Sequence, residues 1–176
     1  MDKSIKQILI STTQIKQRVK QLGIQLSADY KDKNLVIICV LKGAIVFLAD
    51  LLRALSIPVE LDFVRLSSYG KSAESSGVVQ IIQNITSDIQ HKDVLIVEDI
   101  VDTGTTLSSL KEALLSQKPS SLKTCALLNK PARRVKSITI EYVGFEIPNC
   151  FVVGYGLDYN EKYRNLPYIA VSDIDF

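Results

Sequence analysis

The chain has one histidine, three cysteines and a net charge of only +2. Each scarcity excludes something. His91 stands alone in a polar stretch and reads as a surface residue, so histidine-based acid–base or metal chemistry has no partner set. Cys39, Cys125 and Cys150 show no metal-ligand spacing. Cys39 and Cys125 sit in apolar runs and read as small buried hydrophobes, and a sparse, odd count fits a reducing compartment. The charge is too small for a nucleic-acid surface, with Lys and Arg scattered except at Arg133 and Arg134. That doublet reads as a solvated corner or a subunit contact. No apolar run approaches the roughly 18 residues of a membrane span, and the first residues lack a signal-peptide core. The expectation is a cytoplasmic protein without membrane contact. No repeat, linker or low-complexity segment interrupts the sequence.

What is present is enough for one domain over residues 1–176. A chain of this length buries roughly two thirds of its unfolded surface and needs no disulfide or structural metal. Ile5, Ile8, Leu9, Ile15, Val19 and Leu22 recur at near-helical spacing, predicting an amphipathic helix over 4–22. Strands are expected at 34–40, 59–66, 78–82, 94–98, 121–128, 142–145, 151–155 and 168–171. Helices are expected at 44–55 and 105–117. Residues 67–76, polar and glycine-containing, predict a mobile loop. Several strands are near-continuous apolar runs alternating with helices, the pattern of an α/β fold with a mainly parallel sheet covered on both faces. In such sheets ligands bind beyond the carboxyl ends of strands.

The segment Val94-Leu95-Ile96-Val97-Glu98-Asp99-Ile100-Val101-Asp102-Thr103-Gly104-Thr105-Thr106 carries the most chemistry. A buried strand runs into two adjacent carboxylates, then a third, then a Thr-Gly-Thr-Thr turn and a helix. Gly104 lets the backbone turn tightly, and the helix start offers free N–H groups and a positive dipole end to a phosphate. Thr103, Thr105 and Thr106 add hydroxyls. Alone, such a turn would also serve as a plain helix cap. Glu98 and Asp99 would repel a phosphate and suit sugar hydroxyls or a hard cation such as magnesium. Strand alternation sends their side chains in opposite directions unless the strand has already ended.

This segment resembles the phosphoribosyl pyrophosphate (PRPP) motif of type I phosphoribosyltransferases. Other segments narrow the resemblance to the hypoxanthine-guanine phosphoribosyltransferases: Leu41-Lys42-Gly43, Leu66-Ser67-Ser68-Tyr69-Gly70, Leu127-Leu128-Asn129-Lys130-Pro131, and the run from Phe151 through Asp158 to Arg164-Asn165-Leu166-Pro167. The resemblance implies a type I fold with a small hood built from the N- and C-terminal segments. It implies transfer of a ribosyl phosphate to hypoxanthine or guanine, with magnesium, in a homodimer or homotetramer. Asp102, Thr103, Gly104, Thr105 and Thr106 would hold the 5-phosphate, and Asp102 would also accept the base proton. Glu98 and Asp99 would meet ribose or metal, and Asp158 a second metal. Lys42, Gly43, Ser68, Tyr69 and Arg164 would contact pyrophosphate, with a cis peptide bond at Lys42-Gly43. Lys130, Phe151, Val152 and Leu157 would bind the purine; a lysine only donates, which favours a 6-oxo group over adenine's amino group. A PRPP-sensing, nucleic-acid-binding regulator of the same fold is the alternative.

Overall fold

The computed structural model describes residues 5–68 and 79–172. The order is β1 (Ile5–Ile10), α1 (Thr12–Asp29), β2 (Leu35–Leu41), α2 (Ile45–Ala54), β3 (Glu60–Ser68), β4 (Val79–Gln83), β5 (Asp93–Val101), α3 (Thr105–Leu115), β6 (Ser121–Asn129), a short 3-10 turn (Pro131–Arg133), β7 (Tyr142–Glu146), β8 (Val152–Val153) and β9 (Ile169–Ser172). Six strands form one sheet in the order β4-β3-β2-β5-β6-β7. Strands β3, β2, β5, β6 and β7 run parallel, and β4 is the antiparallel edge. A second sheet, β1-β9-β8, joins the two ends of the chain.

Both faces of the large sheet are dry. Val36, Ile38, Val94, Ile96 and Ala126 pack with Leu107, Leu110 and Leu114 of α3. Leu35, Ile37, Cys39, Leu95, Val97 and Cys125 pack on the other side with α1 and α2. Period-two alternation sorts each strand's residues between these clusters. Cys39 and Cys125 are wholly buried, and burial pushes both thiols up to about 12. They are inert packing atoms. His91 is exposed in a turn, at φ 61°.

The N-terminus departs from the helical expectation over 4–22. Ile5–Ile10 is a strand paired antiparallel with β9, and helix begins only at Thr12. Ser11 sets that boundary with a capping box: its hydroxyl accepts from the Gln14 N–H at 3.3 Å while the Gln14 side chain accepts from the Ser11 N–H at 2.9 Å. Helical spacing of Ile5, Ile8 and Leu9 lost to a backbone partner at the opposite end of the chain. From Ser11 onward, Ile15, Val19, Leu22 and Leu26 form the buried stripe of a helix reaching Asp29.

Of the loop expected over 67–76, Ser67 and Ser68 belong instead to β3; the remainder lies outside the described residues. The strand expected over 151–155 shrinks to Val152–Val153. Gly154, Tyr155 and Gly156 follow with φ of 99°, 51° and 101°, so the chain coils away from the sheet. Two glycines make that left-handed run affordable.

Asp62 braces the sheet edge. Its carboxylate accepts N–H bonds from Phe63, Thr86 and Ser87, each 2.7 Å. Burial alone would raise its pKa, but the N–H groups of Ser87, Phe63 and Thr86 outweigh it and hold the carboxyl below its usual value.

Candidate active site

The functional residues gather beyond the carboxyl ends of β2, β5 and β6, with the coiled segment after β8 beside them. Strand β5 does not stop at its first acid. It runs to Val101, with Glu98 opposite Ala126 and Ile100 opposite Leu128 of β6. Glu98 and Asp99 therefore diverge. Glu98 lines a cavity of about 120 Å³ together with Val101, Asp102, Thr103, Gly104 and Thr106. Asp99 lies against Gly43, so closely that a β-carbon there would run into its carboxylate.

The two acids are electrostatically loaded. Burial, then the charge of Asp99, pushes the Glu98 carboxyl well above its usual value. Burial also raises Asp99, to about 6, against opposing N–H bonds from Ile100 and its own backbone and the charge of Arg164. The Glu98 Oε2 is buried without a hydrogen-bond partner. A buried, unpaired carboxylate oxygen is costly unless it receives a cation or donor.

Helix α3 starts at Gly104, φ 82°, with no side-chain cap. Its first intrahelical bond runs from the Ser108 N–H to the Gly104 carbonyl, 2.9 Å. The N–H groups ahead of it lack helical acceptors and carry the positive end of the helix dipole. The loop in front is fixed from behind: the Thr103 carbonyl accepts from Val135 N–H at 2.9 Å and Lys136 N–H at 3.0 Å. The Thr103 and Thr105 hydroxyls lie 3.3 Å apart and bond each other, while Thr106 lines the cavity.

Asp102 meets the end of β6. Lys130, only 5% exposed, brings its Nζ to 3.7 Å from Asp102 Oδ2, and Arg133 Nη1 lies 3.3 Å from the same oxygen. Asp102 Oδ1 is buried and unpartnered. The Phe151 and Tyr159 rings stand edge to face, 5.9 Å between centroids at 84°. Val152 and Leu157 are buried.

The opposite wall is an ion-pair chain. Lys42 Nζ lies 3.0 Å from Glu161 Oε2, Arg164 Nη2 lies 3.4 Å from the same oxygen and 2.8 Å from Asp158 Oδ1. The Lys42 bond and charge, then Arg164, hold the exposed Glu161 carboxyl below its usual range. Arg164 also donates to the Gly156 carbonyl, 2.8 Å, and a β-carbon on Gly156 would strike the Gly43 carbonyl. The cis peptide bond is Leu41-Lys42, one position before the one expected.

Contacts thus link many of the expected residues: Asp99 lies against Gly43, Asp102 against Lys130, and Arg164 against Asp158 and, through Glu161, Lys42. Ser68 closes β3, and Tyr69 lies outside the described residues. Sequence reasoning gave no separate role to Arg133 or Glu161, left Arg134 as a weaker candidate, and read the Arg133-Arg134 doublet as a solvated corner or a subunit contact. The doublet's position right after Lys130 was the available signal.

The phosphoribosyl transferase domain model matches residues 6–160. The hypoxanthine-guanine phosphoribosyltransferase of Mycobacterium avium is 49% identical over 175 residues, covering 96% of this chain and 86% of that protein. Its counterpart in Bacillus subtilis is 48% identical over 171 residues, covering 97% and 95%. The crystal structure of a hypoxanthine phosphoribosyltransferase from Staphylococcus aureus superposes with a TM-score of 0.93 at 48% identity, covering 96% of this chain and 92% of that one. A fold, a cleft and near-complete coverage agree, and the chain belongs to the hypoxanthine-guanine phosphoribosyltransferases, within the phosphoribosyl transferase family.

Proposed function

We propose that the protein is a purine-salvage enzyme that joins hypoxanthine or guanine to the ribose 5-phosphate of PRPP, giving IMP or GMP and pyrophosphate. The observation that carries this reading is the cavity in front of α3, where an uncapped helix start faces an orphaned carboxylate. Anion-binding and hydroxyl- or cation-binding groups lie in one small space, as a sugar phosphate requires.

The 5-phosphate sits on Asp102, Thr103, Gly104, Thr105 and Thr106, taking the free N–H groups and threonine hydroxyls. Glu98 and Asp99 face the ribose. The purine stacks on Phe151, abuts Leu157, meets the Val152 backbone and accepts from Lys130 at its 6-oxo group. The backbone of Lys42 and Gly43, with Ser68, Tyr69 and Arg164, receives pyrophosphate. The three-stranded sheet β1-β9-β8 acts as the hood over the base.

In the reaction an imidazole nitrogen of the purine bonds to the anomeric carbon as the carbon–oxygen bond to pyrophosphate breaks. The imidazole proton passes to Asp102, whose Oδ1 has no partner of its own. The positive charge building on the sugar is offset by Glu98 and Asp99.

Magnesium fits these residues. It is usually held by one or two carboxylates plus substrate phosphates rather than by a protein cage. The unpartnered Glu98 Oε2, the half-buried Asp99 and the partly exposed Asp158 are donors of that kind. When bound it neutralises leaving-group charge. The protein acts on small molecules, and no described helix is long and apolar enough to cross a membrane. A cytoplasmic location and a homodimer or homotetramer complete the reading, and the nucleic-acid-binding regulator finds no support in the comparisons.

The test is a panel of hypoxanthine, guanine, xanthine and adenine, each incubated with PRPP and magnesium while nucleotide and pyrophosphate are quantified. Turnover with an oxopurine and little with adenine is expected. Absence of turnover with every base would refute the assignment.

A further inference from the structure

Arg134 is the half-buried member of the doublet that follows Lys130. Its Nη2 donates to the Val101 carbonyl at 3.4 Å and to the Asn129 side-chain oxygen. Val101 and Asn129 face each other as the last register pair of β5 and β6. The next residue on each strand is Asp102 and Lys130, and the Lys130 N–H bonds the same Val101 carbonyl at 3.0 Å. The stem is placed as purposefully as the head: Arg134 Cδ lies 3.2 Å from where a β-carbon on Gly104 would stand. The following residues, Val135 and Lys136, hold the Thr103 carbonyl from the same side. Among the described residues Arg134 makes no ion pair, its bonded acceptors are neutral, and its Nη1 is buried without a partner. A half-buried guanidinium with a buried, unpaired Nη1 and no carboxylate is costly, and pure packing would be met by an apolar side chain.

We infer that Arg134 is a positioning residue for the transfer reaction: it clamps the ends of β5 and β6 together, fixing Asp102, the proposed proton acceptor, relative to Lys130, the proposed purine-binding lysine, with the phosphate loop seated on its stem. This rests on the proposed function. Both bonds leave one nitrogen, Nη2, held in place by the rigid planar guanidinium; lysine carries a freely rotating ammonium on a flexible stem and reproduces that placement only in part. Without it the strand ends keep only the ladder and the Lys130 N–H bond to Val101, and misplacement of a reacting group by an ångström costs on the order of a hundredfold in rate.

A double-mutant cycle between Arg134→Gln and Asp102→Asn tests the inference, with kcat, both KM values and the melting temperature measured for each form. Arg134→Gln is expected to lower kcat by about ten- to a hundredfold. In an Asp102→Asn background the same change is expected to cost less than about threefold, since its target is already disabled. Arg134→Lys is expected to retain an intermediate kcat, and it replaces Arg134→Gln in the cycle should the glutamine variant not fold. A position that merely supports the fold would lower stability and leave the two effects additive. Wild-type kcat in the Arg134 variants beside a damaged Asp102→Asn, or full additivity, overturns the clamp alone. Full turnover in Asp102→Asn removes the proton-acceptor assignment and the clamp with it.

Discussion

Gly104→Ala probes the proposed phosphate cradle at the point where backbone and ligand requirements meet. At φ 82° an alanine is left-handed, which costs roughly 1–2 kcal/mol relative to glycine. Its β-carbon would stand 2.9 Å from the Lys136 carbonyl oxygen and 3.2 Å from both Arg134 Cδ and Ile138 Cγ2. The first neighbour is backbone and cannot swing aside, so the loop must shift by a few tenths of an ångström, adding about 1–2 kcal/mol of crowding. The sum of roughly 2–4 kcal/mol corresponds to a fall in melting temperature of about 5–15 °C for a chain of this size. The loop that shifts is the one proposed to hold the phosphate, so KM for PRPP should rise about tenfold or more while KM for the base changes less. Gly104→Asn separates the two causes: asparagine tolerates left-handed backbone better than alanine but crowds Lys136 equally. Thermal melts with initial-rate kinetics in both substrates read every quantity. A melting temperature within a degree or two of wild type, with KM for PRPP unchanged, would refute both the strain and the cradle.

Other positions give independent checks. Lys130→Met should raise KM for hypoxanthine by roughly ten- to a hundredfold, the worth of a charged hydrogen bond, and flatten discrimination against adenine; an unchanged hypoxanthine-to-adenine ratio in the base panel counts against the lysine's role. Asp62→Asn should cost about 2–4 kcal/mol in urea unfolding, because the amide turns a donor toward at least one of three N–H groups. The Asp62 carboxyl is lowered in the folded state, so its contribution is full above about pH 4 and is lost as pH falls through the folded value; the variant should lack that part of the acid-side slope, and identical slopes would exclude it. Asp99→Asn should stabilise the ligand-free protein by up to about 3 kcal/mol at pH 7 while lowering activity, since a carboxyl raised to about 6 is penalised whenever ionised. That gain should be full above pH 6 and vanish below about pH 4, where both states are protonated; a variant no more stable than wild type at pH 7 would show that the burial penalty is relieved some other way.

The parts of the fold set by local pattern were legible in the sequence. Strands β2, β5, β6 and β7 lie within a few residues of their expected bounds because each is an apolar run ended by a turn or an acid. The turn ahead of α3 was legible because glycine and the hydroxyl residues stand together in one short stretch. Three features were not. Strand β1 depends on β9 at the far end of the chain, and local spacing cannot report a partner so distant. The length of β5 depends on β6, which continues beside it as far as Asn129, so whether Glu98 and Asp99 lie on a strand was undetermined until their neighbour was known. The placement of Arg134 beside Val101 and Asn129 depends on where a short turn after Lys130 returns the chain, which no periodicity encodes.

The cleft is nearly neutral before any substrate arrives, and this constrains how a polyanion binds. Lys42 is held by Glu161, Arg164 by Asp158 and Glu161, and Lys130 and Arg133 by Asp102. On the proposed reading, an incoming pyrophosphate group must take Arg164 from Asp158 and Glu161, which already satisfy it, so the new contact replaces old ones. Such an exchange yields little net binding energy, because charge-assisted bonds of similar strength are made and broken. It also makes departure easy, since Glu161 and Asp158 are in place to reclaim their partners. The proposed phosphate side is built differently, from helix-start N–H groups with no carboxylate to displace, the Thr105 N–H meeting only the Thr103 hydroxyl, backed by a guanidinium with only neutral acceptors. If the proposed site holds, the sugar phosphate is the end of PRPP that the protein grips outright, and the pyrophosphate is the end it can release.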